Sequence, residues 1–435
     1  HPAVTTQKIV WNDDVNHIRK CSPVANEVSV NRITVKPLYE YFELDNMGVE
    51  PPRRCEKCWG CKDCSFRGHM LSQQEQYEYQ VMESKVRYDP PTQSFVVNYP
   101  FTDDPSILPD NKGQVIKIHQ RLEKKLQKTH SLDAFNQEFN KMLDNGSLVE
   151  LSPQEIDMWD GAVHYISLQD VQNEESDTTP LRIVSNSSLS DRKGLSLNSI
   201  LMKGPNTLSD QWSILNKWRS YEIGLCSDVT KAYHSLRTGE IEKHLRRVVW
   251  RFGNPEKSWR VFAFCTVSFG DKPAAALLEI AIRKVAELHT TIDPSAAKRI
   301  INDRYVDDFA SGGTPAEVYR LMGNEHEQFQ CDGTLSTIMS KGSFRLKAIV
   351  TSGETNQEKI NKIGGKVLGL GLNPSADTIY VDLSVTLKTA NNEKLLLSPE
   401  SVLSIDTTLL TPRNLLSVVN GVYDPLGLVA PITIR

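Results

Sequence analysis

Two aspartates, Asp307 and Asp308, stand side by side between Tyr305-Val306 and Phe309-Ala310. Adjacent carboxylates in an apolar run are costly unless a cation compensates their charge. Two other Asp-Asp pairs occur, Asp13–Asp14 and Asp103–Asp104, but both lie in polar or proline-containing surroundings where solvated carboxylates cost little. Successive strand residues face opposite sides, so Asp307 and Asp308 can approach one centre only where a strand reverses, and Ser311-Gly312-Gly313 downstream is expected to permit that reversal. A third carboxylate is available in Asp228, which ends an apolar, β-prone stretch and is followed five residues on by Tyr233. Three converging carboxylates with few other ligands suit Mg2+. A pair of such ions serves phosphoryl transfer, one activating a hydroxyl nucleophile while the other clamps a triphosphate and stabilises the leaving oxygen.

The second constellation is made of thiols. Of eight cysteines, Cys55, Cys58, Cys61 and Cys64 form C-x2-C-x2-C-x2-C, while Cys21, Cys226, Cys265 and Cys331 are scattered, a distribution unlike a secreted disulfide framework. Four thiolates complete a tetrahedral zinc and leave no open position, so a structural zinc is the expected occupant, with His69 able to replace one ligand. The spacing is closer than that of two hooks parted by a loop and departs from the common iron–sulfur run, which leaves an iron–sulfur centre or free thiols as alternatives.

The elements that must position the carboxylates follow a mixed helix and strand pattern. A polar helix is expected over 71–84, a strand in SerPheValValAsnTyrPro (94–100), and two amphipathic helices between Lys112 and Asp144, broken at Thr129–Ser131 and ended by Asn145-Gly146. Strands are expected over 181–185 and 221–228, and a β-hairpin flanks Gly253-AsnProGluLysSer258. PheGlyAspLysPro (269–273) closes that hairpin and opens a helix over Ala274–His289.

With 435 residues, 39% hydrophobic and 24% charged, the chain is sized for two to four globular domains, and disordered or collagen-like architectures are excluded. It holds no run of the roughly 18–20 apolar residues that a membrane helix needs and no signal-peptide pattern, so no membrane partner is expected. A start at His1 and an end in an apolar run suggest a piece of a longer polypeptide. At a net charge of -4 there is no global basic field. Two local patches, Lys243/His244/Arg246/Arg247/Arg251/Lys257/Arg260 and Lys341/Arg345/Lys347/Lys359/Lys362/Lys366, read equally as phosphate contacts or as solvated faces. The absence of G-x4-G-K-[ST], H-E-x-x-H, Asp-Thr-Gly and Asp-Ser-Gly argues against P-loop, zincin and aspartic protease chemistry.

Tyr305-Val306-Asp307-Asp308 resembles the YxDD signature of reverse transcriptases, and Asp228-ValThrLysAla-Tyr233 resembles their preceding D-x4-[FY] motif, in the same order. Leu181–Asn186 resembles the fingers strand, Leu195–Pro205 the segment that follows it in BEL/Pao retrotransposons, and Val267-SerPheGly270 the turn that contacts template and nucleotide. Gly342–Lys347 and Lys366–Gly371 are similar to the last two palm motifs, the second to the primer grip, and Tyr423–Pro431 to the start of the connection toward RNase H. Two positions depart from the family: Asn186 stands where an Asp is usual, and Pro273 lies closer to the Phe-Gly turn than the usual Pro.

The resemblance implies an α+β right-hand polymerase with fingers and an antiparallel palm sheet, preceded by a Cys-rich segment and followed by the start of a connection domain. Its implied divisions are 1–70 (linker or Cys-rich zinc module), 71–220 (N-terminal helices and fingers), 221–375 (palm) and 376–435 (thumb or start of the connection). By the same resemblance Asp228, Asp307 and Asp308 hold two Mg2+ ions, and Lys347 neutralises or protonates the leaving pyrophosphate. Arg182 pairs with the triphosphate, Tyr233 lies under the incoming sugar, and Phe269 and Gly270 meet the nascent base pair. The implied activity is RNA-directed DNA synthesis from dNTPs on a primed RNA or DNA template. Protease, RNase H and integrase would be companions in a Pol polyprotein, within a cytoplasmic particle. The alternative from another class is an inactive or incomplete transposon-derived fragment that binds nucleic acid as a scaffold, its Cys-rich segment acting as a zinc-dependent interaction module.

Overall fold

A computed structural model of the chain describes residues 71, 73–172, 181–381, 385–388, 394–397 and 411–427. The cysteine cluster Cys55, Cys58, Cys61 and Cys64, with His69, lies outside the described residues. The chain divides between Tyr77 and Glu78 into two units, and every strand below belongs to the second.

In chain order the strands are β1 Val86–Asp89, β2 Ser94–Val97, β3 Leu148–Glu150, β4 Ser167–Gln172, β5 Leu181–Asn186, β6 Ile223–Asp228, β7 Leu236–Thr238, β8 Arg247–Trp250 and β9 Arg260–Phe264. After them come β10 Arg304–Tyr305, β11 Asp308–Gly313, β12 Val350–Thr351, β13 Lys366–Val367, β14 Leu370–Asn373, β15 Thr378–Tyr380, β16 Val385–Lys388 and β17 Lys394–Leu397. The fold is mixed α+β with small sheets, and among the described residues none closes into a barrel. The widest sheet has four antiparallel strands in the order β10-β11-β6-β12. Three-stranded sheets β1-β2-β7, β3-β9-β8 and β13-β14-β15 and the pairs β4-β5 and β16-β17 surround it in sequence.

The four-stranded sheet is covered on both faces, which is why β6 reads as an unbroken Gly-Leu-Cys-Ser interior without polar alternation. Leu225 and Phe309 face the main core, built around helix α1 (Ala274–Leu288), whose small and aliphatic residues are buried nearly all round. Cys226 and Ala310 face the opposite way, onto Ile214, Leu215 and Trp218 of the helix Gln211–Arg219 and onto the β13–β14 hairpin.

Locally the sequence pattern is followed closely. The amphipathic helices run Lys112–Lys128 and Leu132–Asp144, and Gly146 after the second takes φ +72. The hairpin β8–β9 pairs Arg247 with Ala263, and α1 ends one residue before His289. His119 fastens the first of these helices to two strands: its Nδ1–H donates to the Val249 carbonyl at 2.6 Å, while Nε2 accepts the Leu168 N–H at 2.8 Å. Both nitrogens are thereby committed to the neutral ring, and burial pushes its pKa down to about 4.

One expectation is corrected. The strand reversal beside the aspartates does not use Ser311-Gly312-Gly313, which lies inside β11; the chain turns at Val306–Asp307, between Tyr305 and its partner Asp308. Gly312 is required in the strand for another reason, since a Cβ there would collide with the Ile223 carbonyl oxygen on β6. Among the described residues no helix is long and apolar enough to cross a membrane.

Candidate active site

Asp228 is the last residue of β6 and Asp308 the first of β11, and the antiparallel register sets them directly opposite one another. Directly opposed residues project to the same face of a sheet, so two like charges are held together against their repulsion. Asp307 reaches the same point from the turn. Val306 takes φ +54, a strained conformation for a β-branched residue, and the Val229 N–H donates to the Asp307 carbonyl at 2.9 Å, binding the turn to the chain leaving β6. One carboxylate oxygen from each of Asp228, Asp307 and Asp308 lies within 4.8 Å of the others.

Withdrawal from water and mutual repulsion both disfavour the charged forms. Burial, then the charges of Asp228 and Asp307, push Asp308 up to about 7. Asp307 is raised by burial first and by Asp228 second, with Lys347 pulling the other way. Lys347 is delivered by the strand-like stretch before β12: its N–H donates to the Asp228 carbonyl at 2.8 Å, and its ammonium forms an ion pair with Asp228 Oδ2. The other oxygen, Asp228 Oδ1, is buried with no hydrogen-bond partner among the described residues. A buried carboxylate oxygen without a donor is expensive, and beside two further carboxylates it is suited to a hard divalent cation.

Beside the carboxylates stands an aromatic ledge. Tyr233 lies in the short 3-10 turn Ala232–Ser235, and the Phe269 ring meets it edge-on at 4.7 Å between centroids. Tyr233 is 9% exposed and Phe269 53%, so the first is a fixed support and the second an accessible surface. Burial, followed by the charge of Asp307, pushes the Tyr233 phenol up to about 12, which keeps it neutral. Gly270 takes φ +98, and a Cβ there would stand 2.6 Å from the Ser185 carbonyl oxygen, so both conformation and space call for glycine.

The structure therefore gathers Asp228, Asp307, Asp308, Lys347, Tyr233 and Phe269 in one place and sets Gly270 against β5. Arg182, exposed on β5, forms no ion pair with the carboxylates, and its side chain makes no hydrogen bond or ion pair among the described residues. The first basic patch is largely spent internally. Arg246 and Arg247 are buried, Arg251 pairs with Glu123 at 2.9 Å, Arg260 with Glu150, and Lys243 with Glu240 and Glu155. His244 stacks on Trp159 at 4.0 Å and is pushed down to about 4 by burial and by Arg247. In the second patch Lys359 is held between Glu325 and Glu354. Asp271 carries no mark in the sequence, where a lone acidic residue in a turn resembles any solvated one; only its long-range partners distinguish it.

No family model matches the chain, and no curated protein matches it.

Proposed function

We propose that this chain is an RNA-directed DNA polymerase, the reverse transcriptase region of a BEL/Pao-type Pol polyprotein, with the right-hand arrangement of fingers and palm. The observation that supports this reading most is the convergence of Asp228 and Asp308 on facing strands with Asp307 in the adjoining turn, with one buried carboxylate oxygen left without a donor among the described residues. The donor set fits Mg2+: three carboxylates, all hard oxygens, with no nitrogen or sulfur ligand among them. When bound there, Mg2+ would supply Lewis acidity to activate a primer 3′-hydroxyl and to neutralise a dNTP triphosphate.

The chain's own residues supply the rest. Asp228 and Asp308 fix the spacing of the ligands because the sheet register fixes theirs. Lys347 supplies the one positive charge in contact with Asp228 among the described residues and offsets the repulsion on Asp307 and Asp308. For it to reach a leaving pyrophosphate, that ion pair must open. Tyr233, neutral and buried, would support a deoxyribose from below, where a ring excludes a 2′-hydroxyl. Phe269 and Gly270 would present a ring and a bare backbone to a base pair, and Arg182, without an ion pair among the described residues, would offer its guanidinium fork to a triphosphate.

The test is dTTP incorporation on poly(rA)·oligo(dT) with Mg2+, comparing the wild type with Asp307→Asn. Incorporation by the wild type and a loss of at least about 1,000-fold in the variant is the expected result. Binding of primer–template without incorporation in either protein would replace this reading with the nucleic-acid-binding scaffold.

A further inference from the structure

The turn Ser268–Lys272, which carries Phe269 and Gly270, is held from within by one buried side chain. Asp271 accepts five hydrogen bonds: from Tyr99 Oη, from Ser187 Oγ at 2.5 Å, from the Ser268 N–H at 3.1 Å and Oγ at 3.0 Å, and from Arg246 Nη1 at 3.1 Å. The Asp271 and Arg246 side chains are both fully buried. Arg246 spends its remaining donors on the Thr266, Phe264 and Glu242 carbonyls and on the Thr238 hydroxyl, and its guanidinium lies 5.0 Å from the Tyr99 ring centroid.

These bonds do more than satisfy a buried charge, because their donors come from separate parts of the fold. Ser268 belongs to the turn itself, whereas Ser187 directly follows β5. A second set of bonds runs alongside: Ser185 Oγ donates to the Phe269 carbonyl at 2.8 Å, Asn198 Nδ2 to the Gly270 carbonyl at 2.7 Å, and the Lys272 N–H to Asn198 Oδ1 at 2.8 Å. The side of the turn facing β5 is thereby pinned, and Phe269 is left projecting against Tyr233.

We infer that Asp271 is a positioning residue: its carboxylate, charge-paired to Arg246, holds the Phe269–Gly270 turn at a fixed separation from β5 and thereby keeps the nucleotide-facing surface in its binding-competent form. This rests on the polymerase reading of the neighbouring carboxylates. Asp271 itself is fully buried and acts through the turn rather than by touching substrate. A turn released from it would populate the competent form only part of the time, and affinity for the incoming nucleotide falls by that fraction while the chemical step of the competent complex is unchanged. A group that served only to stabilise the fold would not separate these two quantities.

The experiment compares the wild-type chain, Asp271→Asn and the double variant Arg246→Met/Asp271→Asn, which removes both buried charges and so relieves the unpaired arginine. Three readouts are taken: Tm, KM and kcat for dTTP on poly(rA)·oligo(dT), and hydrogen exchange of the 268–272 amides. The expected result is a Tm that falls in Asp271→Asn and recovers in the double variant. The dTTP KM stays raised about tenfold in both, with kcat within about twofold and faster exchange in the turn. Ser187→Ala, which keeps the ion pair and hence the fold, should raise KM about threefold in the same direction. Recovery of KM together with Tm in the double variant, or unchanged exchange at 268–272, would overturn the inference. If the wild type incorporates nothing, the polymerase reading fails, and the exchange data alone still decide whether Asp271 holds the turn.

Discussion

Asp308 and Asp271 are both carboxylates withdrawn from water, and their surroundings are opposite. Asp308 faces Asp228 across a strand pair and has Asp307 beside it in the turn, with Lys347 in contact with the cluster and a buried Asp228 oxygen left without a donor among the described residues. Asp271 faces five donors, one of them a guanidinium. The first arrangement stores unfavourable charge that an added cation would relieve; the second is already satisfied and has nothing to offer a ligand. A buried acid is thus marked as a site by what it lacks, and as structure by what it has.

The two regions should therefore break in opposite ways. The largest effect on folding is expected for Asp271→Ala, which leaves Arg246 charged and buried without its partner and should lower the unfolding free energy by about 3–5 kcal/mol, measured by urea titration. A change under about 1 kcal/mol would mean that the arginine finds other compensation and that the contrast between the regions is false.

Next in size is an effect of pH on a buried group that must stay neutral. The unfolded His119 imidazole takes a proton near its usual 6.5, the folded one only near 4. Its contribution is therefore intact above 6.5 and lost as the pH falls toward 4, by about 3 kcal/mol at 1.36 kcal/mol per unit. His119→Gln should flatten the stability profile across that window; an unchanged profile would show that other groups govern it.

The smallest effect is expected at the carboxylate cluster. Asp308→Asn removes one of three crowded charges and, without divalent cation, should leave Tm unchanged or raise stability by about 1 kcal/mol. It should also weaken the gain in Tm that Mg2+ or Mn2+ brings to the wild type. Loss of stability in that variant without added metal would show that the cluster is held together by its acids rather than strained by them.

Much of the local structure is legible in the sequence. The apolar positions Val115, Ile118, Leu122 and Leu126, then Phe135, Phe139 and Met142, recur near the helical period, and all but the half-buried Ile118 and Met142 are buried in the structure. The break at Thr129–Ser131 and the hairpin around Gly253 could likewise be read from turn chemistry. The site was legible in its parts, since an Asp-Asp pair between aromatic and aliphatic residues costs too much to be incidental. Its assembly was not. Ser311-Gly312-Gly313 looks like a turn, yet it forms strand paired to β6, where the missing side chain lets Gly312 press against the Ile223 carbonyl. Lys243 to Arg260 looks like one basic surface, yet its charges are mostly consumed by Glu123, Glu150, Glu155, Glu240 and Asp271.

By itself the sequence determined the helical and strand periodicities, the placement of turns, and the presence of acids in apolar surroundings, because each depends on residues a few positions apart. Only the tertiary structure decided which charges meet. Tyr99 and Asp271 are 172 residues apart, and Asp228 finds Asp308 through a strand register that no local pattern encodes. Desolvation and Coulomb energy depend on spatial neighbours, so the same residue type becomes a strained ligand in one place and a satisfied anchor in another.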